Sequence, residues 1–140
     1  MEMGLVPSLR SLFDTTQMRS DFVVSFNSEL LNEELGDELS MCIYRIIQEL
    51  LANATKHSQA REIKLKLQVL KRNVVLEYAD DGIGVEGEML EENFGSMGIY
   101  GMRQRVRSMN GGIRFYSRPE EGLKVWISIP SVFNTVSNLE

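Results

Sequence analysis

Apolar residues recur along the chain with two different periods, and these periods predict where the helices and strands lie. Over residues 37–57 the apolar positions fall three or four residues apart, which is typical of a helix that buries one face. The members of this stripe are Leu39, Cys42, Ile43, Ile46, Ile47, Leu50, Leu51 and Ala54. Residues 8–17 and 98–109 have the same period over shorter stretches, so we predict helices there too.

Other segments alternate between apolar and polar residues, as expected for strands with one buried face. The clearest is residues 63–69, where lysine or glutamine separates successive apolar residues. A turn at residues 71–73 leads to a second strand at 74–79, so the two are predicted to form a hairpin. Further strands are predicted at residues 22–26, 113–117 and 123–129. In the last of them Trp126 falls on the solvent side, where we expect an edge-strand aromatic packed on a lysine stem rather than a docking surface.

The order of these elements limits the fold class. A helix and a strand come first, followed by the long helix, a pair of strands, a loop, a third helix and a final pair of strands. Helices and strands do not alternate strictly, so a doubly wound parallel sheet is disfavoured. We predict an α+β fold: a two-layer α/β sandwich whose mixed, mostly antiparallel sheet has helices on one face. A chain of 140 residues has room for one such domain.

Composition excludes several classes of function. The chain has a single cysteine, Cys42, and a single histidine, His57, which rules out an intrachain disulfide, a multi-cysteine zinc site and a poly-histidine metal site. No apolar run reaches the roughly 18 residues of a membrane span, and no secretory signal is visible, so we expect a cytoplasmic domain without membrane contact. A net charge of -5 argues against nucleic-acid binding.

The long helix carries polar residues beside its apolar stripe. On an α-helical wheel Glu49, Asn53 and Lys56 fall within about 60° of one another, and His57 lies further towards the stripe. All four are therefore predicted at the border between core and solvent. A carboxylate and an amide one turn apart can share an oxygen-ligated cation such as Mg²⁺, and a lysine beyond them suits a phosphate. The same residues also fit an i,i+4 hydrogen bond, a helix-end lysine and a partly buried histidine, without any ligand.

Glycines follow Asp80 in a pattern that has two interpretations. Residues 82–87 match G-x-G-x-x-G, but the acidic residues on both sides would repel a pyrophosphate, so we reject a dinucleotide site. A carboxylate at a strand end, with Gly82 and Gly84 permitting close backbone approach, can instead accept a hydrogen bond from the exocyclic amine N6 of adenine. An Asp-Gly turn after a strand is the alternative.

A second glycine cluster precedes the third helix. Gly98 and Gly101 lie on either side of Ile99 and Tyr100, and Met102 follows them. This is the predicted helix start, where free N–H groups bind anions. Residues 98–118 contain five arginines and no acid, which adds positive charge around this start. The segment therefore suits a phosphate, and a helix start with glycine hinges is equally compatible with it.

Taken together, these motifs occur in an order that resembles a known family. E-x-x-x-N-x-x-K-H over residues 49–57, D-x-G-x-G over 80–84 and G-x-x-G over 98–101 are similar to the ATP-binding domain shared by sensor histidine kinases, gyrase, heat-shock-90 chaperones and mismatch-repair ATPases. Residues 44–58 resemble the N box of histidine kinases, in particular the subfamily whose dimerisation helix carries a His-Asp pair. G-M-R-Q-R-V at residues 101–106 is also similar to that subfamily. The resemblance implies the Bergerat ATP-binding fold.

The resemblance implies a role for each candidate residue. Asn53, together with Glu49, would hold Mg²⁺, and Lys56 would complete the catalytic group by reaching the phosphates of ATP. His57 would contact the ribose or phosphate side, and Asp80 would bind adenine N6. The residues that would shape the pocket and cradle the phosphates are Gly82, Gly84, Gly98, Ile99, Gly101 and Met102.

The resemblance also implies a division of the chain and a set of partners. Residues 1–13, which include G-L-V-P-S-L-R, would connect to a dimerisation helix, residues 14–132 would form the catalytic domain with a lid at 85–97, and residues 133–140 a C-terminal tail. The single histidine lies in the N box, so the γ-phosphoryl would pass to a histidine on a separate dimerisation domain and reach a response regulator indirectly. We expect this domain in the cytoplasm, within a parent protein that a membrane anchor could hold.

Two departures from the family pattern leave other functions open. Ser96 stands where the family has a glycine, and Leu123 stands where it has a threonine that joins a water-mediated network to the aspartate and adenine. These residues favour a degenerate nucleotide-binding module that regulates without catalysis. An anti-sigma-factor serine kinase shares the nucleotide site and is the other alternative, although the connector-like segment 1–13 argues against it.

Overall fold

The structure, a computed structural model, describes residues 4–29, 35–84 and 98–131. The helices in these ranges are α1 (Leu5–Met18), α2 (Asp37–Asn53), whose last turn continues as a π-helical turn (Ala54–Ser58), and α3 (Ile99–Ser108). The strands are β1 (Val23–Ser28), β2 (Glu62–Leu70), β3 (Asn73–Asp80), β4 (Gly112–Ser117) and β5 (Leu123–Pro130). The predicted order of elements is confirmed, with boundaries that differ by a few residues.

The five strands form one sheet in the order β1-β2-β3-β5-β4. Strand β1 runs parallel to β2, and each of the other neighbouring pairs is antiparallel. The mixed, mostly antiparallel sheet predicted from the sequence is therefore confirmed. The hairpin between β2 and β3 is confirmed as well, and its turn is tight because Lys71 and Arg72 both adopt positive φ angles of 50° and 68°.

The sheet has one buried and one open face, because successive side chains of a strand point to opposite sides. Leu65 of β2 lies opposite Tyr78 of β3, which lies opposite Val125 of β5, and all three are buried. This face joins the same core as Leu9 of α1 and Val106 of α3. The helices thus cover one face of the sheet, as predicted, and we call it the inward face.

Helix α1 belongs to this core along most of its length. Leu5, Leu9 and Phe13 are its buried residues, and they recur at helical spacing. The rings of Phe13 and Phe26 meet edge to face with centroids 5.0 Å apart, which ties α1 to strand β1. Residue 13 therefore lies inside a continuous helix.

The open face carries Trp126, but not in the setting predicted. Strand β5 lies between β3 and β4, so it is not an edge strand. The guanidinium carbon of Arg114, on the neighbouring strand β4, lies 5.6 Å from the centre of the Trp126 ring. The alternation of apolar and polar residues predicted the correct side of β5 for Trp126. Its neighbours could not be predicted in this way, because they depend on the order of strands in the sheet. Within the described ranges, no helix is both long and apolar enough to cross a bilayer.

Candidate functional site

Strand β3 ends at Asp80, whose side chain lies on the inward face and is only 8% exposed. Its Oδ1 atom accepts hydrogen bonds from the backbone N–H groups of Gly82, at 2.9 Å, and Leu123, at 3.2 Å. Its Oδ2 atom accepts one from the hydroxyl of Tyr78, at 2.6 Å. A buried carboxylate is costly unless such donors compensate it, so this cluster makes the inward position of Asp80 tenable.

Glycines bring the backbone close to this carboxylate. A Cβ atom at Gly122, where φ is 72°, would collide with the carbonyl of Asp80, and one at Gly84 would collide with the carbonyl of Arg118. The N–H of Glu120 donates to the carbonyl of Ile83 at 2.6 Å, across the same pair of segments. The loop after β3 and the turn before β5 therefore pack backbone to backbone beside Asp80, which requires glycine on both sides.

The next residue, Asp81, has the same side chain in the opposite setting. It is exposed, and its Oδ1 atom accepts hydrogen bonds from the backbone N–H groups of Arg61, at 2.8 Å, and Glu62, at 3.0 Å. The hydrogen bonds from Glu62 and then Arg61 favour the charged carboxylate and lower the pKa of Asp81. Asp81 thus fastens the start of β2 and faces away from the inward cluster.

Helix α2 contributes Glu49 and Asn53, one turn apart. Glu49 is half-buried, and Asn53 is 5% exposed at the end of the α-helix. Both positions agree with the predicted border of the apolar stripe. Their oxygen atoms suit a hard cation such as Mg²⁺. Within the described ranges no three His, Cys, Asp or Glu side chains cluster as a metal site.

Helix α3 starts against Glu49. A Cβ atom at Gly98 would lie 2.8 Å from Oε2 of Glu49 and 2.7 Å from its Cδ, so glycine is what lets the two elements come this close. The φ angle of 67° at Gly98 also favours glycine. Glu49 and Gly98 belong to motifs that are far apart in the sequence, and the fold brings them together. No pattern in the sequence indicates this contact.

The remaining residues of α3 divide between core and surface. Ile99 and Met102 are buried and pack in the core, so a ligand could meet their backbone but not their side chains. Gly101 is exposed, and a Cβ atom there would meet nothing within 4 Å. The predicted lid, residues 85–97, and with it Ser96, lies outside the described residues.

Lys56 and His57 lie in the π-helical turn that follows α2, and both are exposed. The predicted position of both residues, at the border of the core, is therefore wrong. The helical wheel assumed α-helical spacing, whereas a π turn closes its hydrogen bonds between residues five apart and displaces each later side chain around the axis. The turn ends at Gln59, which adopts a positive φ of 55°.

Sequence analysis missed one residue of the Asp80 cluster, Tyr78. A signal was present, because residues two apart in a strand share a face, and this places Tyr78 beside Asp80 on the inward side of β3. The burial of the ring and the neighbouring carboxylate of Asp80 raise the pKa of Tyr78, so its hydroxyl stays protonated and donates.

Comparison with known proteins agrees with this fold. The family described as "Histidine kinase-, DNA gyrase B-, and HSP90-like ATPase" matches residues 38–132. The chain belongs to this family, and the resemblance and fold class inferred from its sequence are confirmed. Family membership implies ATP binding.

Two relatives are themselves histidine kinases. The sensor histidine kinase ComP of Bacillus subtilis (strain 168) is 37% identical over 128 residues, which cover 91% of this chain and 17% of that kinase. The signal transduction histidine-protein kinase/phosphatase DegS of the same strain is 30% identical over 133 residues, covering 92% of this chain and 34% of that protein. The chain thus corresponds to the ATPase domain of sensor histidine kinases and spans at most about a third of these relatives.

A solved structure supports the fold. The histidine kinase domain of the blue-light activated histidine kinase from Erythrobacter litoralis EL346 superposes with a TM-score of 0.79 at 20% identity, covering 95% of this chain and 64% of that chain. Neither alternative function, the serine kinase or the regulatory module, gains support from these relatives.

Proposed function

We propose that this chain is the catalytic domain of a two-component sensor histidine kinase, which binds Mg-ATP and donates the γ-phosphoryl to a histidine on a separate dimerisation domain. The observation that carries the proposal is the Asp80 carboxylate, buried at a strand end on the inward face between backbone segments that glycines bring together. In an ATPase family such a carboxylate is suited to the recognition of the base.

In this proposal Asp80 accepts a hydrogen bond from N6 of adenine, and Gly82 and Gly84 leave room for the flat ring. Adenine offers an amine donor at this position, whereas guanine offers the acceptor O6. If O6 of guanine faced the carboxylate, two acceptors would meet with no hydrogen between them, which is costly in a buried place. The site should therefore prefer adenine nucleotides.

The phosphates are assigned to the end of α2 and the start of α3. Asn53 and Glu49 are proposed to hold Mg²⁺, because an amide and a carboxylate one turn apart offer the oxygen ligands that this ion prefers. When bound, Mg²⁺ neutralises charge on the phosphate oxygens. Lys56 is proposed to contact the phosphates and His57 the ribose or phosphate side. The backbone N–H groups near Gly98 and Gly101, including those of Ile99 and Met102, are proposed to cradle the phosphates.

The acceptor is proposed to lie on another domain because His57, the single histidine, adjoins the nucleotide-binding helix. Phosphoryl transfer needs a nucleophile in line with the leaving oxygen, whereas His57 stands beside residues assigned to the phosphates. The proposed division keeps residues 1–13 as a connector, 14–132 as the catalytic domain and 133–140 as a tail. The domain would act in the cytoplasm, belong to the His-Asp subfamily, and signal to a response regulator indirectly.

Incubation with γ-labelled ATP tests this function directly. The chain alone should bind ATP and remain unlabelled, and a supplied histidine-bearing dimerisation domain should acquire label that acid removes, as phosphohistidine does. Acid-labile label on this chain alone would make His57 an acceptor and contradict the proposal. Acid-stable label on a serine of an added protein would also contradict it and favour the serine-kinase alternative.

A further inference from the structure

The hydroxyl of Tyr78 occupies a defined place in the proposed base site. It donates to Oδ2 of Asp80 at 2.6 Å, a short distance that is typical of a strong hydrogen bond to a charged oxygen. The ring is 2% exposed and packs in the core, so the hydroxyl has little freedom to turn towards solvent. The phenol is therefore fixed by its packing, and the carboxylate is fixed by the phenol.

Counting acceptor sites shows what this bond leaves for a ligand. An ionised carboxylate has about four lone-pair sites, two on each oxygen. Within the described ranges, Gly82 and Leu123 donate to Oδ1 and Tyr78 donates to Oδ2. Counting donors from the described residues alone, two backbone N–H groups satisfy Oδ1 and the Tyr78 hydroxyl occupies one site of Oδ2, which leaves one acceptor site on Oδ2. That site matches a single N–H donor.

We propose that Tyr78 is a positioning residue, which holds the Asp80 carboxylate so that its one remaining acceptor site faces the N6 amine of adenine. The inference rests on the proposed function, in which Asp80 recognises the base. Tyr78 makes no contact with the nucleotide itself in this account. It restricts the rotation of the carboxylate about its Cβ–Cγ bond and thereby increases the discrimination between a base that carries the amine and one that lacks it.

The chain offers a reason why such a hydroxyl is needed. Leu123 reaches Asp80 through its backbone N–H, and its own side chain is apolar and buried. The side chain at position 123 therefore supplies no hydroxyl to the carboxylate. Tyr78 lies two residues before Asp80 on the same face of β3, and its hydroxyl donates to the carboxylate instead.

The test is Tyr78→Phe, which keeps the ring and removes only the hydroxyl. Calorimetry in Mg²⁺ would compare ATP with purine riboside triphosphate, which lacks the N6 amine. We expect ATP to bind roughly tenfold more weakly to the variant, and the amine-free nucleotide to bind almost as it does to the wild type. Tyr116→Phe is the matched control, because Tyr116 is 38% exposed, and it should change neither affinity.

A purely structural role predicts a different outcome, in which both nucleotides weaken by the same factor. That result, or an unchanged ATP affinity, would overturn the inference. A wild-type domain that bound neither nucleotide would instead refute the proposed function.

A second comparison remains informative if the single variant is less stable. Tyr78→Phe added to Asp80→Ala should cause no further loss of ATP affinity, because the carboxylate it positions is gone. A further loss of about tenfold in that background would show that Tyr78 acts elsewhere and would overturn the inference.

Discussion

Two adjacent aspartates at the end of β3 carry the same side chain in opposite environments. Asp80 points to the inward face, is 8% exposed, and is held by a tyrosine hydroxyl and two backbone N–H groups. Asp81 points outward, is exposed, and accepts hydrogen bonds from the backbone N–H groups of Arg61 and Glu62, at the start of β2. The strand alternation alone separates them.

The contrast teaches that position relative to the core decides what a carboxylate can do. On the inward face, hydrogen-bond donors hold the carboxylate in one orientation in a place where water is scarce, so its remaining acceptor site can select a ligand. On the outward face, solvent competes for the same oxygens, and the carboxylate serves to fasten two backbone segments. The D-D-G motif therefore combines a proposed recognition residue with a structural one.

Among substitutions on the inward side of the molecule, Asn53→Ala should have the largest effect on ATP binding. Asn53 is 5% exposed, and its amide is proposed to hold Mg²⁺, so the variant should lose Mg²⁺-dependent ATP binding while remaining folded. Calorimetry with and without Mg²⁺ measures this loss. The matched control is Asn27→Ala, which should not change ATP affinity, because Asn27 is exposed on the open face. Unchanged ATP affinity of the Asn53 variant in Mg²⁺ would count against the assignment.

Gly122→Ala should have the next largest effect, because Gly122 contacts the backbone of Asp80. Gly122 and Gly36 both have positive φ, at 72° and 80°, but only at Gly122 would a Cβ atom collide, with the carbonyl of Asp80. We expect Gly122→Ala to lower the free energy of unfolding by about 2 kcal/mol more than Gly36→Ala, and to weaken ATP binding as well. Urea unfolding of both variants measures the difference. Equal losses would mean that the backbone contact beside Asp80 is not needed.

The smallest effect is expected at Asp81, and it should depend on pH. Its folded pKa lies below the unfolded value of about 3.9, so its contribution to stability is present at neutral pH and is lost as the pH falls through the folded pKa. The gap in unfolding free energy between wild type and Asp81→Asn should be constant from about pH 7 to 5 and should shrink below about pH 4. A gap that widened in acid would contradict this sign.

Much of this arrangement could be predicted from the sequence, and the parts that could not are non-local. Alternation placed Trp126 on the correct side of its strand, because strand periodicity is a local property. The neighbours of Trp126 depended on the order of strands in the sheet, and the contact between Glu49 and Gly98 depended on how α3 packs on α2. No local pattern encodes either.

The exposure of His57 was missed for a different reason. The helix changes from α to π after Asn53, which alters the angular spacing without a clear signal in the sequence. The tyrosine beside Asp80 was within reach of sequence reasoning, because it lies in phase with the carboxylate on the inward face of β3. What the sequence could not supply was the hydrogen bond itself.

Comparing the ATP affinity of Asp80→Asn with that of Asp81→Asn tests whether Asp80 recognises adenine. Both substitutions replace one carboxylate by an amide of the same shape, at adjacent positions on opposite sides of β3. We expect Asp80→Asn to weaken the binding of ATP and ADP by roughly 1.5–3 kcal/mol, and Asp81→Asn to leave their affinity unchanged. GTP should compete poorly with ATP for the wild-type domain. Equal effects of the two variants, or GTP competing as well as ATP, would contradict the recognition of adenine by Asp80.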